Sequence, residues 1–298
     1  MLIYLDGKLV PREEAKVSVF DHGFLYGDGV FEGIRVYDGN VFRLREHIER
    51  LYESAQTIAL DIPLTREQMI QATLDTIAAN GKRDAYIRLV VSRGHGDLGI
   101  DPGNCDKPTV VIIVASIKLY PEEMYEKGVG LITASVRRIP VQCIDPRIKS
   151  LNYLNNILAK IEARRAGVLE AVMLNHQGRV AECTADNIFI VKGGVLKTPD
   201  TLEGALNGVT RGAVLDLAAE AGIPAYETKL APHDLYNADE CFLTGTGAEI
   251  VPVVSVDGRR IGSGKPGPTT RRILEAFREL RTRDGIRVRY QPAPSPAS

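Results

Sequence analysis

The stretch Ile148-Lys149-Ser150-Leu151-Asn152-Tyr153-Leu154-Asn155-Asn156 decides how the rest of the chain is read. A lysine ends an extended run and a helical pattern follows at once. Leu151, Leu154, Leu158 and Ile161 recur at spacings of three, four and three, the apolar stripe of an amphipathic helix. Ala159, Glu162 and Ala163 favour that helix, and Gly167 closes it. Tyr153 follows Lys149 by four residues, near enough for both side chains to serve one ligand. A lysine at a strand-to-helix corner beside a phenol suits a covalent amine, a Schiff-base former. A surface lysine ahead of an amphipathic helix fits the same residues, so the decision passes to the rest of the chain.

Its 298 residues suffice for two ordinary domains or one large one. Apolar residues make up 44% and charged residues 25%, the balance of a soluble globular protein. With a net charge of −1, 6% aromatics and no tryptophan, neither nucleic acid nor a membrane is an expected partner. The longest apolar run, Val110 to Ala115, is too short to span a bilayer, and the start of the chain suggests no signal peptide. Cys105, Cys143, Cys183 and Cys241 lie far apart without a Cys-x-x-Cys pair. They read as free thiols of a cytoplasmic protein. Five scattered histidines offer no metal set.

The opening reads as a hairpin, Ile3-Tyr4-Leu5 and Leu9-Val10 around Asp6-Gly7, with a primed turn. A Gly-rich stretch follows from Asp21 to Arg35. Gly27, Gly29 and Gly33 are spaced two and four and lead into an extended pattern, unlike a dinucleotide fingerprint opening a helix. An irregular loop with close backbone approach to a ligand, or a plain turn, remains. Leu44 to Ala59 is helical; Arg50 lies off its apolar stripe and by default is a solvated arginine. Thr65-x-x-Gln68 is a capping box opening a second helix. Tyr86 and Arg88 share one face of the strand Ala85 to Ser92. This half predicts an α+β domain over residues 1–118, with a linker over 119–128 and a larger domain over 129–290.

In the second half, a strand from Leu131 to Val136 precedes Lys149 and its helix. Glu182 sits among small apolar neighbours, where an unpaired carboxylate is costly; a cationic partner or a partly exposed loop would explain it. Gly204 to Arg211 opens a helix from Gly212 to Ala221 with Thr210 at its cap, either an anion site or a plain capped helix. The strand Glu240 to Thr244 breaks into Gly245-Thr246-Gly247-Ala248-Glu249, a second turn exposing backbone N–H groups and a hydroxyl. A last helix covers Thr269 to Leu280, and the Pro/Ser-rich residues 291–298 are expected to be a disordered tail. A Schiff-base lysine, a phenol, an inward carboxylate and two anion-binding turns together match one ligand. Pyridoxal 5′-phosphate has an aldehyde, a phenolic oxygen, a ring nitrogen and a phosphate.

From about Ile3 to Leu280 the chain resembles the branched-chain amino acid aminotransferases of fold type IV. The resemblance rests on Tyr26 with Phe31-Glu32-Gly33-Ile34-Arg35, Tyr86-Ile87-Arg88, and Lys149-Ser150-Leu151-Asn152-Tyr153-Leu154-Asn155. Glu182 with Asn187, Gly208-Val209-Thr210-Arg211 and Gly245-Thr246-Gly247-Ala248-Glu249 complete it. It implies a two-domain α+β/α/β fold with pyridoxal 5′-phosphate on Lys149. It also implies Tyr153 on the phenolate oxygen and Glu182 on the ring nitrogen. Arg50, Gly208, Val209, Thr210 and Thr246 would hold the phosphate, with Leu206 packed on the ring. The implied reaction is ping-pong transamination between L-leucine, L-isoleucine or L-valine and 2-oxoglutarate, with L-glutamate and the matching 2-oxo acids as products.

The substrate carboxylate would lie near Thr246, Gly247 and Ala248, with Tyr26, Tyr86 and Arg88 nearby and Phe31 lining an apolar side-chain pocket. Ile100 matches a loop residue that reaches the neighbouring subunit's site, so a homodimer is the least assembly expected. D-Amino acid transaminases are similar but carry an Arg-x-His pair where this chain has Leu98 and Ile100. Aminodeoxychorismate lyases lack the full set from Tyr26 to Arg88. The usual segment after the lysine is one residue longer in some members than Ser150-Leu151. Gly247 stands where alanine is common, which loosens that turn.

Overall fold

The computed structural model describes residues 1–116 and 121–290. The expected tail at 291–298 and the start of the expected linker lie outside them. The chain divides into two compact units, Met1–Ile117 with Arg281–Ser298, and Lys118–Leu280.

The first unit holds a seven-stranded sheet in the order Gly285–Arg287, Asn40–Phe42, Gly29–Tyr37, Ala85–Ser92, Thr109–Ala115, Leu2–Leu5 and Lys8–Pro11. All its neighbouring pairs are antiparallel. The opening hairpin turns at Asp6 (φ 47°) and Gly7 (φ 90°), both left-handed as a primed turn requires. Helix Leu44–Thr57 buries Leu44, Ile48, Leu51 and Ala55. Helix Arg66–Ala79 starts at Thr65, where both bonds of the capping box form. Against them the sheet buries Ile34, Val36, Ile87, Leu89, Val110 and Ile112, each contributing about 1.5–3 kcal/mol on leaving water. Gly285–Arg287 corrects the domain boundary of 129–290 expected from the sequence. These residues pair with Asn40–Phe42, and Arg43 binds Asp284 at 2.7 Å, so residues 284–287 belong with the first sheet.

The second unit holds a nine-stranded mixed sheet. Its order is Ala225–Thr228, Val195–Pro199, Asn187–Lys192, Glu240–Gly245, Glu249–Val256, Val129–Thr133, Glu170–Leu174 and Val180–Cys183, with Arg259–Arg260 on Glu249–Val256. Three neighbouring pairs are parallel. Ile188, Ile190, Leu243, Val251 and Val253 lie in its main core cluster.

The helix after Lys149 differs from its sequence pattern. It spans Leu154–Arg165, and the residues from Lys149 to Tyr153 are irregular. Its apolar stripe faces outward: Leu154 is 68% exposed, and Leu158 and Ile161 are also exposed. The buried side chains are Asn156, Ala159 and Ala163. Ala159 and Ala163 cluster with Ala134, Ala171 and Met173. Small residues let the helix approach the strand Glu170–Leu174 closely, and this contact overrides the larger apolar stripe.

Candidate active site

Lys149 sits after a turn braced by Asp145, whose carboxylate accepts from the Arg147 backbone N–H at 2.9 Å. The half-buried lysine amine donates to the Tyr153 hydroxyl at 3.0 Å. The spacing of four is therefore met without a helix, because Lys149 precedes the first helical turn. An amine and a phenol in direct contact can serve one ligand, the amine as a covalent nucleophile and the hydroxyl as a hydrogen-bonding group beside it.

Glu182 lies on the strand Val180–Cys183 and is buried. Arg138, itself buried, forms an ion pair with Glu182, its Nε 3.0 Å from Oε1, and the Leu206 N–H donates to Oε2 at 2.8 Å. Burial pushes the Glu182 carboxyl above its usual value. Arg138, the Leu206 N–H and the Lys149 charge offset part of that rise. Arg138 is thus the cationic partner that the inward carboxylate demanded. Nothing in the local sequence singles it out, since it lies on an irregular segment far from Glu182.

Asn187 donates from Nδ2 to the Leu206 carbonyl at 2.8 Å, which fixes the segment leading into Gly208. Helix Val209–Glu220 begins with Gly208 as its N-cap and has no side-chain cap bond, so Thr210 is a residue of the first turn and not the expected cap. The N-cap makes no side-chain bond to the first-turn amides, and Thr210 of that turn is buried. A helix N-terminus of this form attracts an anion. Gly208 permits the local packing: a Cβ there would meet Asn187 Oδ1 at 2.1 Å. The turn at Thr246, Gly247 and Ala248 closes the hairpin of Glu240–Gly245 and Glu249–Val256. It is tethered by Tyr125, whose hydroxyl donates to the Ala248 carbonyl at 2.9 Å.

In the first unit, Gly33 lies opposite Arg88 and Arg35 opposite Tyr86 in the antiparallel register. Tyr86 crosses above Gly33, where a Cβ would fall 2.0 Å from its hydroxyl oxygen; this explains the third glycine of the Gly-rich stretch. Arg88 donates to the Tyr86 hydroxyl at 3.1 Å and stacks over Phe31, 4.5 Å from the ring centre. Phe31, Tyr86 and Arg88 thus form one cluster. Tyr26 ends the short helix His22–Tyr26 and donates to the Leu98 carbonyl at 2.6 Å. His22 Nε2 lies 2.9 Å from the Asp97 carbonyl, so two side chains latch the loop carrying the exposed Leu98 and Ile100. His95 of that loop faces Asp106 at 3.5 Å.

Arg50 is buried, not the solvated residue that its place off the helix stripe suggested. It forks onto Glu32, Nε to Oε1 at 2.7 Å and Nη2 to Oε2 at 2.8 Å, and His47 Nδ1 meets Oε2 at 2.7 Å. The alternation Val30, Glu32, Ile34, Val36 is the signal that could have placed Glu32 inward.

The donor set of the second unit fits pyridoxal 5′-phosphate. The Lys149 amine can join an aldehyde, and the Tyr153 hydroxyl lies beside it. The braced Glu182 can accept from a protonated ring nitrogen, and the helix opening at Gly208 and Thr210 can take the phosphate. The model of the amino-transferase class IV family matches residues 29–256. The chain is 57% identical to a putative branched-chain-amino-acid aminotransferase of Methanocaldococcus jannaschii, over 97% of this chain and 99% of that one. The Escherichia coli branched-chain amino acid aminotransferase structure superposes with a TM-score of 0.92 at 39% identity, covering 96% of each chain. The branched-chain amino acid aminotransferase of Thermobaculum terrenum in its PLP-bound holo form does so with a TM-score of 0.87 at 34% identity, covering 94% of this chain and 93% of that one.

Proposed function

The chain belongs to the class IV aminotransferases, and on that premise we propose that it moves amino groups between L-leucine, L-isoleucine or L-valine and 2-oxoglutarate. The observation that carries this reading is the Lys149–Tyr153 pair at 3.0 Å, in the same unit as the braced Glu182 and the open helix start at Gly208. Pyridoxal 5′-phosphate, when bound, supplies an aldehyde that joins an amine and a ring that accepts the electron pair left as the substrate Cα–H ionises.

In this reading Lys149 does two things with one nitrogen: it anchors the cofactor, and once displaced by the substrate amine it carries the Cα proton. Tyr153 bonds the cofactor's phenolic oxygen. Glu182 accepts a hydrogen bond from the ring nitrogen and Leu206 packs on the ring face. Gly208, Val209, Thr210, Thr246 and Arg50 hold the phosphate. Thr246, Gly247 and Ala248 receive the substrate carboxylate, and Tyr26, Phe31, Tyr86 and Arg88 are assigned to the substrate. The reaction alternates between two half-reactions, L-glutamate leaving in the second. Ile100, 83% exposed, and the neighbouring Leu98 support a homodimer in which this loop meets a second subunit. Neither carries the charge that a D-amino acid carboxylate would need on that side. The free cysteines support a cytoplasmic location.

The visible absorption spectrum of the purified protein, with L-leucine and separately with D-alanine, tests the reading. A yellow band bleached by L-leucine alone is expected. Bleaching by D-alanine instead would assign the D-amino acid reaction, and a protein colourless even after cofactor is added would refute the proposal.

A further inference from the structure

Arg138 has no part in the reading above, yet its guanidinium is committed on three sides. Nε faces Glu182 Oε1 at 3.0 Å and the Gly204 carbonyl at 3.2 Å. Nη1 donates to Asn156 Oδ1 at 2.9 Å and to Asn155 Oδ1 at 3.3 Å. Asn156 is in turn buried and donates to the Thr184 carbonyl at 2.8 Å. Gly204 has φ +105°, and a Cβ there would come within 3.3 Å of Arg138 Cγ, so a left-handed glycine makes room for the arginine. The arginine backbone N–H is held by the Leu174 carbonyl at 2.8 Å.

These contacts fix the charge and also the plane of Glu182, because the second carboxylate oxygen is held by the Leu206 N–H at 2.8 Å. Burial alone drives a carboxyl group to keep its proton. A charge-assisted bond from a rigid guanidinium opposes this, since it stabilises only the ionised form.

We propose that Arg138 is a positioning residue for transamination, holding Glu182 as an oriented carboxylate so that the proton shared with the cofactor's ring nitrogen resides on the ring. The inference rests on the reading that Glu182 faces that nitrogen. The proton leaves the carboxyl oxygen for the nitrogen, and nothing is oxidised or reduced. A ring that keeps the proton is the better electron acceptor, so the residue would act on the proton-transfer step without touching substrate or cofactor.

The test is the 15N resonance of holoenzyme reconstituted with pyridoxal 5′-phosphate labelled at the ring nitrogen. The native protein is expected at the protonated position and Arg138→Met displaced towards neutral pyridine, with kcat down about tenfold and KM little changed. Arg138→Lys keeps a cation but loses the bonds to Gly204 and Asn156 that orient it, and its resonance decides if Arg138→Met does not fold. A displaced signal supports the proposal, and an unmoved one overturns it. Glu182→Gln separates the two claims. If Glu182→Gln loses the protonated signal while the Arg138 variants keep it, Arg138 is only structural and the Glu182 reading stands. If Glu182→Gln also keeps it, Glu182 does not face the nitrogen and both fall.

Discussion

Replacing Glu32 with glutamine removes a charge from a site that solvent does not reach. Glu32 is 0% exposed, and its two oxygens accept from Arg50 at 2.7 and 2.8 Å and from His47 at 2.7 Å. Glutamine keeps one carbonyl acceptor but turns an NH2 group towards a guanidinium and removes the carboxylate charge that Arg50 faces. Breaking one side of a buried ion pair costs about 3–5 kcal/mol, and the retained carbonyl puts this variant near the lower end. Urea unfolding followed by far-UV circular dichroism measures the loss; the chain has no tryptophan to report by fluorescence. Glu32→Leu combined with Arg50→Met should cost less than the two single changes added, because no lone charge remains buried.

The pH dependence follows from the same geometry. Burial pushes the Glu32 carboxyl up, but the charges and hydrogen bonds of Arg50 and His47 outweigh it and hold the group well below the usual carboxylate range. A depressed folded-state value adds stability above the unfolded value of about 4.3, and that stability is lost as pH falls towards the folded one. The gap between the native protein and Glu32→Gln should therefore be steady from about pH 6 to 8 and narrow below about pH 4. A loss under about 1 kcal/mol at pH 7, or a gap that widens in acid, would refute the ion-pair account.

Gly208→Ala would push its Cβ to 2.1 Å from Asn187 Oδ1 and dislodge the bond to the Leu206 carbonyl. Its pyridoxal 5′-phosphate dissociation constant, read by absorbance titration, should rise about tenfold and recover in part with Asn187→Ser. Tyr26→Phe removes the donor to the Leu98 carbonyl. Limited proteolysis should then cut the loop around Leu98 faster, while global stability changes by about 1 kcal/mol or less. Thiol labelling read by peptide mass spectrometry should modify the exposed Cys143 in the folded protein. Cys183 and Cys241 should react only on unfolding, since burial pushes both thiols far above their usual range.

Local chemistry was legible along the chain. The capping box at Thr65 and Gln68, the left-handed Asp6-Gly7 turn and the shared face of Tyr86 and Arg88 all involve residues within four positions of one another. Their geometry follows from covalent spacing and backbone sterics, which act without the rest of the fold. Lys149 and Tyr153 belong to the same class: their contact forms even though the expected helix begins only at Leu154.

What tertiary packing decided lies between residues distant in sequence. The apolar stripe of Leu154, Leu158 and Ile161 predicted one buried face, but the sheet accepted the alanine face, because close approach depends on the shape opposite. Arg50 on its helix and Glu32 on its strand carry no mark of pairing, nor do Arg138 and Glu182, which are 44 positions apart. Such partners are chosen by strand register and by the cost of burying an unpaired charge, and both exist only once the chain has closed on itself.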